Sequence, residues 1–128
     1  MYWLRVALVF VTSICFASQC PDPRLRQATI GGDAIDGSIV LQKKPMRFAQ
    51  IQLYFSSGKT AWVGTTGKDG TFHITHLQPG TYRLVVRGWG STKIRLDPKL
   101  TKLGNGQIPR WSVQLMDNEC VAYSAVVN

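Results

Sequence analysis

The stretch from Gly64 to Gly88 constrains the fold of this 128-residue chain more than any other part of it. Its extended segments are separated by Lys68-Asp69-Gly70 and by Pro79-Gly80. Asp-Gly between runs of β-branched and aromatic residues is the strongest short-range signal of a β-hairpin. Pro-Gly fits the central positions of a type II turn, because proline fixes φ and glycine accepts the positive φ that follows. The sequence therefore predicts two consecutive tight turns in a β-meander.

Hydrophobic residues alternate with polar ones on both sides of the second turn. Side chains two residues apart in a strand share one face, so an alternating run has an inner and an outer face. We expect the inner set, together with Leu77, to form the middle of the core: Phe72, Ile74, Tyr82, Leu84 and Val86. In the strand predicted over 48–55 the same rule assigns Ala49, Ile51, Leu53 and Phe55 to the core face.

The central stretch has the pattern T-T-x-x-D-G-x-F-x-I-x-x-L-x-P-G-x-Y-x-L-x-V, which starts at Thr65. This pattern resembles the carboxypeptidase regulatory-like domain, and the similarity extends over roughly residues 34–115. The resemblance implies a transthyretin-like, or prealbumin-like, β-sandwich that is related in shape to bacterial Cna-B-type repeats. One position departs from the family, which usually has an acidic residue where this chain has Gly67.

The remaining segments also favour strands over helices. Further short strands are predicted near 35–41, 92–96 and 111–115, and no helical period is sustained anywhere. Several short strands separated by turns about every 8–12 residues are typical of a sandwich. We therefore predict an all-β fold, an Ig-like or transthyretin-like β-sandwich of about seven antiparallel strands.

The first 17 residues are typical of a secretory signal peptide. Arg5 precedes an apolar run that is shorter than the roughly 20 residues of a membrane span, and small residues follow. Cleavage after Ala17 would leave Cys20 and Cys120 as the remaining cysteines, which favours a disulfide in an exported chain. Three alternatives stay open: an uncleaved membrane anchor, lipidation of Cys20, and two free thiols.

These signals divide the chain into four parts. We expect a signal peptide over 1–17, an N-terminal lead-in over 18–33, the β-sandwich over 34–116, and a tail or added strand over 117–128. The processed protein is expected to be secreted or to lie in the periplasm or cell envelope, with no membrane span after cleavage.

The chain is basic, with a formal net charge of +8 from 15 basic and 7 acidic residues. The basic residues are scattered, and no run of five exists that would indicate a nucleic-acid-binding tail. A basic surface attracts polyanions, but it also serves solubility and protects sheet edges from aggregation. We expect no nucleic acid as partner.

Few residues suggest a chemical reaction. His73 and His76 are three apart, so in a strand they point to opposite faces and cannot share a zinc ion. Asp33, Asp36 and Asp69 lack the regular spacing of a calcium loop. The motifs of a nucleophile elbow, a zinc protease and a phosphate loop are absent from the sequence. We therefore expect no catalytic residue, no metal and no cofactor.

Tryptophan is the remaining residue type that suggests ligand binding. Trp89 lies between two glycines and is the candidate for an exposed aromatic surface, while Arg87 beside it would suit an acidic glycan. Trp62 and Trp111 are in predicted strands, where packing against the core is the default role.

The resemblance implies an accessory module, because the regulatory-like domain of carboxypeptidases does not carry the zinc site. We expect an exported, non-enzymatic module for binding or adhesion at the cell envelope, whose partner is an unknown protein or glycan. Two alternatives are a carbohydrate-binding module that uses an exposed tryptophan, and a small exported enzyme that uses His73 or His76.

Overall fold

The computed structural model describes Cys20 and residues 26–126, so the predicted signal peptide lies outside the described residues. Two short 3₁₀ turns, Pro98–Leu100 and Asp117–Glu119, precede the last two strands. The described residues form ten strands: β1 (Gln27–Ile30), β2 (Ile35–Leu41), β3 (Lys44–Pro45), β4 (Gln50–Phe55), β5 (Thr60–Thr65), β6 (Thr71–Ile74), β7 (Gly80–Val86), β8 (Gly90–Leu96), β9 (Arg110–Met116) and β10 (Cys120–Val126).

The strands form two sheets that pack into a sandwich, which confirms the predicted all-β fold. Sheet A has the order β1-β8-β7-β4-β5. Sheet B has the order β10-β9-β2-β3, and β6 also pairs with β2. Both sheets are mixed, since β1 runs parallel to β8 and β2 runs parallel to β9. Hydrophobic alternation does not encode strand direction, so the prediction of wholly antiparallel strands missed these two pairings.

The core lies between the sheets, where the alternation placed it. All six residues expected at its middle are buried: Phe72, Ile74, Leu77, Tyr82, Leu84 and Val86. The strand before them contributes Ala49, Ile51 and Leu53 to the core. Phe55 does not follow this pattern, because it is 43% exposed. It is the last residue of β4, where the β4–β5 pairing has shifted between Leu53 and Tyr54 while the β4–β7 pairing continues unbroken to Phe55 and Tyr82.

The prediction of a β-hairpin at Asp69-Gly70 is wrong. The tight turn itself is present, since Gly70 N donates to Gly67 O at 3.1 Å. However, β5 pairs with β4 in sheet A, whereas β6 pairs with β2 in sheet B. The turn therefore carries the chain from one sheet to the other, and β7 returns it to sheet A.

The type II turn expected at Pro79-Gly80 is also not formed. Gly80 is already the first residue of β7, with a φ of 151°. In such a turn the carbonyl of Gln78 would accept from the backbone three residues later. Here it accepts from the Tyr82 hydroxyl at 2.7 Å. A tyrosine hydroxyl that bonds the backbone a few residues upstream resembles the tyrosine corner of other sandwiches. The connection from β6 to β7 crosses from sheet B to sheet A, and the distance between two sheets is larger than the distance that a tight turn spans between paired strands.

Thr66 anchors the place where the chain leaves sheet A. Its side chain is buried, its Oγ1 accepts from Ala49 N at 2.9 Å, and the same hydroxyl donates to Met46 O at 2.7 Å. One hydroxyl thus satisfies two backbone groups of the loop before β4. The neighbouring Thr65 is exposed.

We expect Thr66→Val to lower the free energy of unfolding by about 1–3 kcal/mol, because a buried donor and an acceptor lose their partner. Urea unfolding measures the loss. Thr65→Val is the matched control, and it should change stability by less than about 0.5 kcal/mol, as is usual at a surface position. Equal effects of the two substitutions would contradict the role of the Thr66 hydroxyl.

Candidate functional site

The expected disulfide is present and joins the edges of the two sheets. Cys20 is buried, and its Cα lies 4.9 Å from that of Cys120. Cys120 begins β10, the edge strand of sheet B. Cys20 is held beside Arg26, whose Nε donates to the Cys20 carbonyl at 3.0 Å immediately before edge strand β1. A sulfur in this bond cannot also carry a lipid.

Trp89 is not an exposed platform, and that expectation is wrong. The indole is only 9% exposed, and its Nε1 donates to Met116 O at 2.8 Å. Gly88 and Gly90 have φ values of 85° and 135°, so the backbone turns at both and directs the ring inward. Arg87, the other expected ligand contact, is exposed, and its Nη1 donates to Gln50 Oε1 at 3.4 Å.

Trp62 lies instead in an aromatic cleft at one end of the sandwich. The cleft has a volume of about 410 Å³, and its walls include Phe55, Trp62, His76, Gln78 and Tyr82. The rings of Phe55 and Tyr82 are 5.6 Å apart between centroids. Packing against the core is confirmed for Trp62, which is partly buried there, whereas the core position expected for Phe55 is wrong. Alternation alone gave no sign of the cleft.

A glycine gives the Trp62 ring its position. A Cβ at Gly64 would lie 2.2 Å from Cη2 of Trp62, which is far closer than carbon atoms approach. Trp62 therefore lies across the backbone of its own strand and closes one side of the aromatic cleft. A glycine two residues after a tryptophan in one strand is the sequence signal that could have indicated this packing.

The outer face of sheet B gathers Asp36, His73 and Arg110 from three strands. The carboxylate of Asp36 contacts His73 Nδ1, and its other oxygen lies 3.6 Å from Arg110 Nε. The antiparallel pairing of β2 with β6 sets Asp36 directly opposite His73. Around them is an open depression of about 840 Å³, whose lining also includes hydroxyl and amide side chains: Ser38, Thr71, Ser112 and Gln114.

The side chains around this polar depression are not arranged as the serine, histidine and carboxylate of a serine hydrolase are. Catalysis would require a hydroxyl on one imidazole nitrogen and a carboxylate on the other. Among the described residues, His73 bonds to Asp36 but to no hydroxyl, and the Ser112 hydroxyl lies 3.4 Å from that of Ser124. His76 lines the aromatic cleft, where its Nδ1 lies 3.0 Å from Thr75 Oγ1. The two histidines therefore belong to different depressions.

Metal-ligating side chains are dispersed over the described part of the chain. There, no three residues of the types His, Cys, Asp and Glu are grouped closely enough to hold a metal ion. Within residues 26–126, no helix has both the length and the hydrophobicity to cross a membrane.

Asp69 orders the turn between β5 and β6. Its Oδ1 accepts from the Thr71 hydroxyl at 2.6 Å and from Thr71 N at 3.1 Å. These bonds hold the pKa of the Asp69 carboxyl below its ordinary value of 3.8, and the bond from the Thr71 hydroxyl has the largest effect. Gly70 follows with a φ of 74°, and a Cβ there would lie 2.9 Å from Ile39 O. The contacts of Asp69 and the backbone conformation of Gly70 both favour this turn.

We expect a carboxyl-detected NMR titration to give Asp69 a pKa below 3.8, and Thr71→Val to raise that pKa. Because the folded pKa is lowered, the stabilisation is present above the unfolded pKa and is lost as the pH falls through the folded value. Thr75→Val, an exposed threonine outside the turn, should leave the titration unchanged. A pKa for Asp69 at or above 3.8 in the folded protein would contradict these contacts.

Comparison with known proteins gives only distant similarities of structure. No family model matches the sequence, and no curated protein matches it. The major pilin subunit BcpA of Bacillus cereus is 13% identical over 70% of this chain and 30% of its own, with a TM-score of 0.48. The pilus 2b backbone protein of group B streptococcus is 20% identical over 66% and 39%, with a TM-score of 0.46. A variant of BcpA has 15% identity over 69% and 29%, with a TM-score of 0.45. The chain therefore spans between 29% and 39% of the length of these pilins.

Proposed function

We propose that this chain is an exported, non-enzymatic β-sandwich module for binding or adhesion at the cell envelope. The observation that supports it most is the disulfide between Cys20 and Cys120, because such bonds form and persist outside the reducing cytosol. The signal-peptide pattern of residues 1–17 agrees with it. So does the resemblance of roughly residues 34–115 to the carboxypeptidase regulatory-like domain, an accessory module without a catalytic centre. We propose a signal peptide over 1–17 and a sandwich region over 34–116 that β1 and β10 extend at its two ends, since they pair with β8 and β9.

Expression of the full chain in a bacterium with a periplasm tests the export. We expect intact-mass measurement to show cleavage after Ala17, and a thiol-reactive probe to label neither Cys20 nor Cys120. The protein should be found outside the cytoplasm. The control is a variant without residues 2–17, which should stay in the cytosol with labelled thiols. An unprocessed full-length chain with free thiols, or a lipid mass on Cys20, would overturn the proposal as stated.

A second candidate function is carbohydrate binding, now at the aromatic cleft rather than at Trp89. The supporting observation is that exposed Phe55 and half-buried Trp62 line the cleft together with the polar side chains of Gln78 and His76. A few polar groups among aromatic walls are typical of small-ligand sites. We expect Phe55→Ala to abolish binding on an array of neutral glycans. The matched control is Phe48→Ala, since Phe48 is also exposed but does not line the cleft. Equal binding by both variants would dismiss this candidate.

A further inference from the structure

The strands of sheet A contribute only positive charge to its outer face, although Glu119, from the turn before β10, lines a depression together with Arg83 and Tyr54. The five strands of the sheet, β1, β4, β5, β7 and β8, contain no aspartate or glutamate. β7 contributes Arg83, and β8 contributes Lys93 and Arg95 at alternate positions. Arg26 lies immediately before β1, and Arg87 immediately after β7. We call this surface the basic face, and it consists of exposed residues: Arg26, Arg83, Arg87, Lys93 and Arg95.

The register of the strands places like charges beside one another. Arg83 is directly opposite Lys93 in the β7–β8 pair. Like charges at opposite positions destabilise a sheet, and side chains two apart on one strand are only about 7 Å apart. Among ion pairs between described residues, Arg95 is the one member of the basic face with an acidic partner, Asp97 at 4.0 Å. The repulsion between these side chains therefore lowers the stability of the sheet, and a bound anion would reduce it.

Hydrogen-bond donors surround three of these cations. A depression of about 490 Å³ lies at Arg26, Arg83 and Lys93, and its lining includes the hydroxyls of Ser56, Thr81 and Ser91. The hydroxyls of Thr92 and Tyr82 also lie there, but they donate to backbone carbonyls. Guanidinium and ammonium groups form their strongest hydrogen bonds with anionic oxygens, and hydroxyls can add further donors. The guanidinium of Arg83 also lies over the Tyr54 ring, 5.0 Å from its centre, in a cation–π contact that helps to hold the charge in place.

The opposite side of the sandwich shows that this charge is not spread evenly. The outer face of sheet B pairs the carboxylate of Asp36 with Arg110 and His73. Solubility alone is served by charges of both signs in mixture, whereas a face of one sign attracts a partner of the other. The segregation of charge onto sheet A therefore indicates a polyanionic partner.

We propose that the basic face binds a linear acidic polysaccharide, whose sulfate or carboxylate groups contact Arg83, Lys93 and Arg95. The inference rests on the proposed function, because an exported module meets such polymers outside the cell. Cations repeated along two adjacent strands match charges repeated along a polymer better than they match a single small anion.

The test uses the processed, disulfide-bonded protein with labelled heparin and polygalacturonate, and with neutral dextran of similar length. We expect binding to at least one acidic polymer, no binding to dextran, and weaker binding at higher salt. The triple variant Arg83→Gln/Lys93→Gln/Arg95→Gln should raise the Kd by about tenfold or more, as expected when several charge contacts are lost.

The matched control removes the same charge elsewhere. Lys43→Gln/Lys44→Gln/Lys102→Gln changes three exposed lysines outside sheet A, and it should alter the Kd by less than about twofold. Circular dichroism of both variants checks that they fold.

Three results would overturn the proposal. They are the absence of binding to either acidic polymer, an equal loss of affinity in both triple variants, and tighter binding to phosphatidylglycerol vesicles or duplex DNA than to the polysaccharides. None of them touches the proposed export, which cleavage after Ala17 and thiol labelling report separately.

Discussion

Removal of the disulfide between Cys20 and Cys120 should lower the free energy of unfolding by about 4–5 kcal/mol. The two cysteines are 100 residues apart, so the bond restricts nearly the whole described chain in the unfolded state. In the folded state it ties the edge of sheet A to the edge of sheet B. Because domains of this size are stable by only about 5–15 kcal/mol, the loss is a large fraction of the total.

Urea unfolding of Cys20→Ser/Cys120→Ser, compared with the oxidised protein, measures this effect. Reduction of the unmodified protein should give nearly the same midpoint as the double variant. The reductant should not affect the double variant itself, which controls for effects on the rest of the chain. A shift on reduction worth less than about 1 kcal/mol would show that the bond closes no stabilising loop.

Trp89→Ala is expected to cost about 3–5 kcal/mol of stability, because it empties the volume of a buried aromatic ring. It also leaves the carbonyl of Met116 without the indole donor at 2.8 Å. A ligand platform on the surface would show the opposite behaviour, since truncation of an exposed side chain usually changes stability by less than about 0.5 kcal/mol. The substitution therefore separates the two roles considered for this residue.

Two companion variants make the Trp89 measurement specific. Trp89→Phe keeps an aromatic ring but not the Nε1 donor, so its cost should be smaller than that of Trp89→Ala and include about 1–3 kcal/mol for the unpaired carbonyl. Phe48→Ala removes a ring that is 63% exposed and should be nearly neutral. If Trp89→Ala were as mild as Phe48→Ala, the indole could not be part of the core.

The sequence predicted the core well because burial in a sandwich follows a two-residue period. Tyr82, Leu84 and Val86 are buried as expected, and Arg83 between them is exposed. Periodicity failed at Phe55, the last residue of β4, where the β4–β5 register has shifted although the pairing with β7 continues. The rule is therefore weakest at the end of a strand.

Strand partners were harder to predict, because turn residues report local geometry alone. Asp69-Gly70 forms a tight turn, but the same dipeptide can connect two paired strands or two separate sheets. What decides between them is β2, which pairs with β6 and is distant from it in the sequence. The same limit applies to Pro79-Gly80, whose connection is shaped by the bond from Tyr82 to Gln78.

The candidate sites depended on tertiary structure even more strongly. The glycines around Trp89 suggested an exposed loop. The indole is instead buried, and it donates a hydrogen bond to the carbonyl of Met116, 27 residues further along the chain. The basic face was visible only as scattered charge until the register set Arg83 opposite Lys93. Arg87 belongs to this face. The sequence suggested it as a contact for an acidic glycan, but only because it lies next to Trp89, which is buried.

The two parallel pairings have a consequence for how the molecule is made. Gln27 pairs with Lys93 and Gly37 pairs with Val113, so neither sheet can be completed by an early fragment of a nascent chain. Contacts between residues so distant in sequence slow folding, which for sandwiches of this kind takes about milliseconds to seconds. During synthesis the chain should remain loose until β8 and β9 have left the ribosome, and a loose chain is the form that a translocation channel can thread.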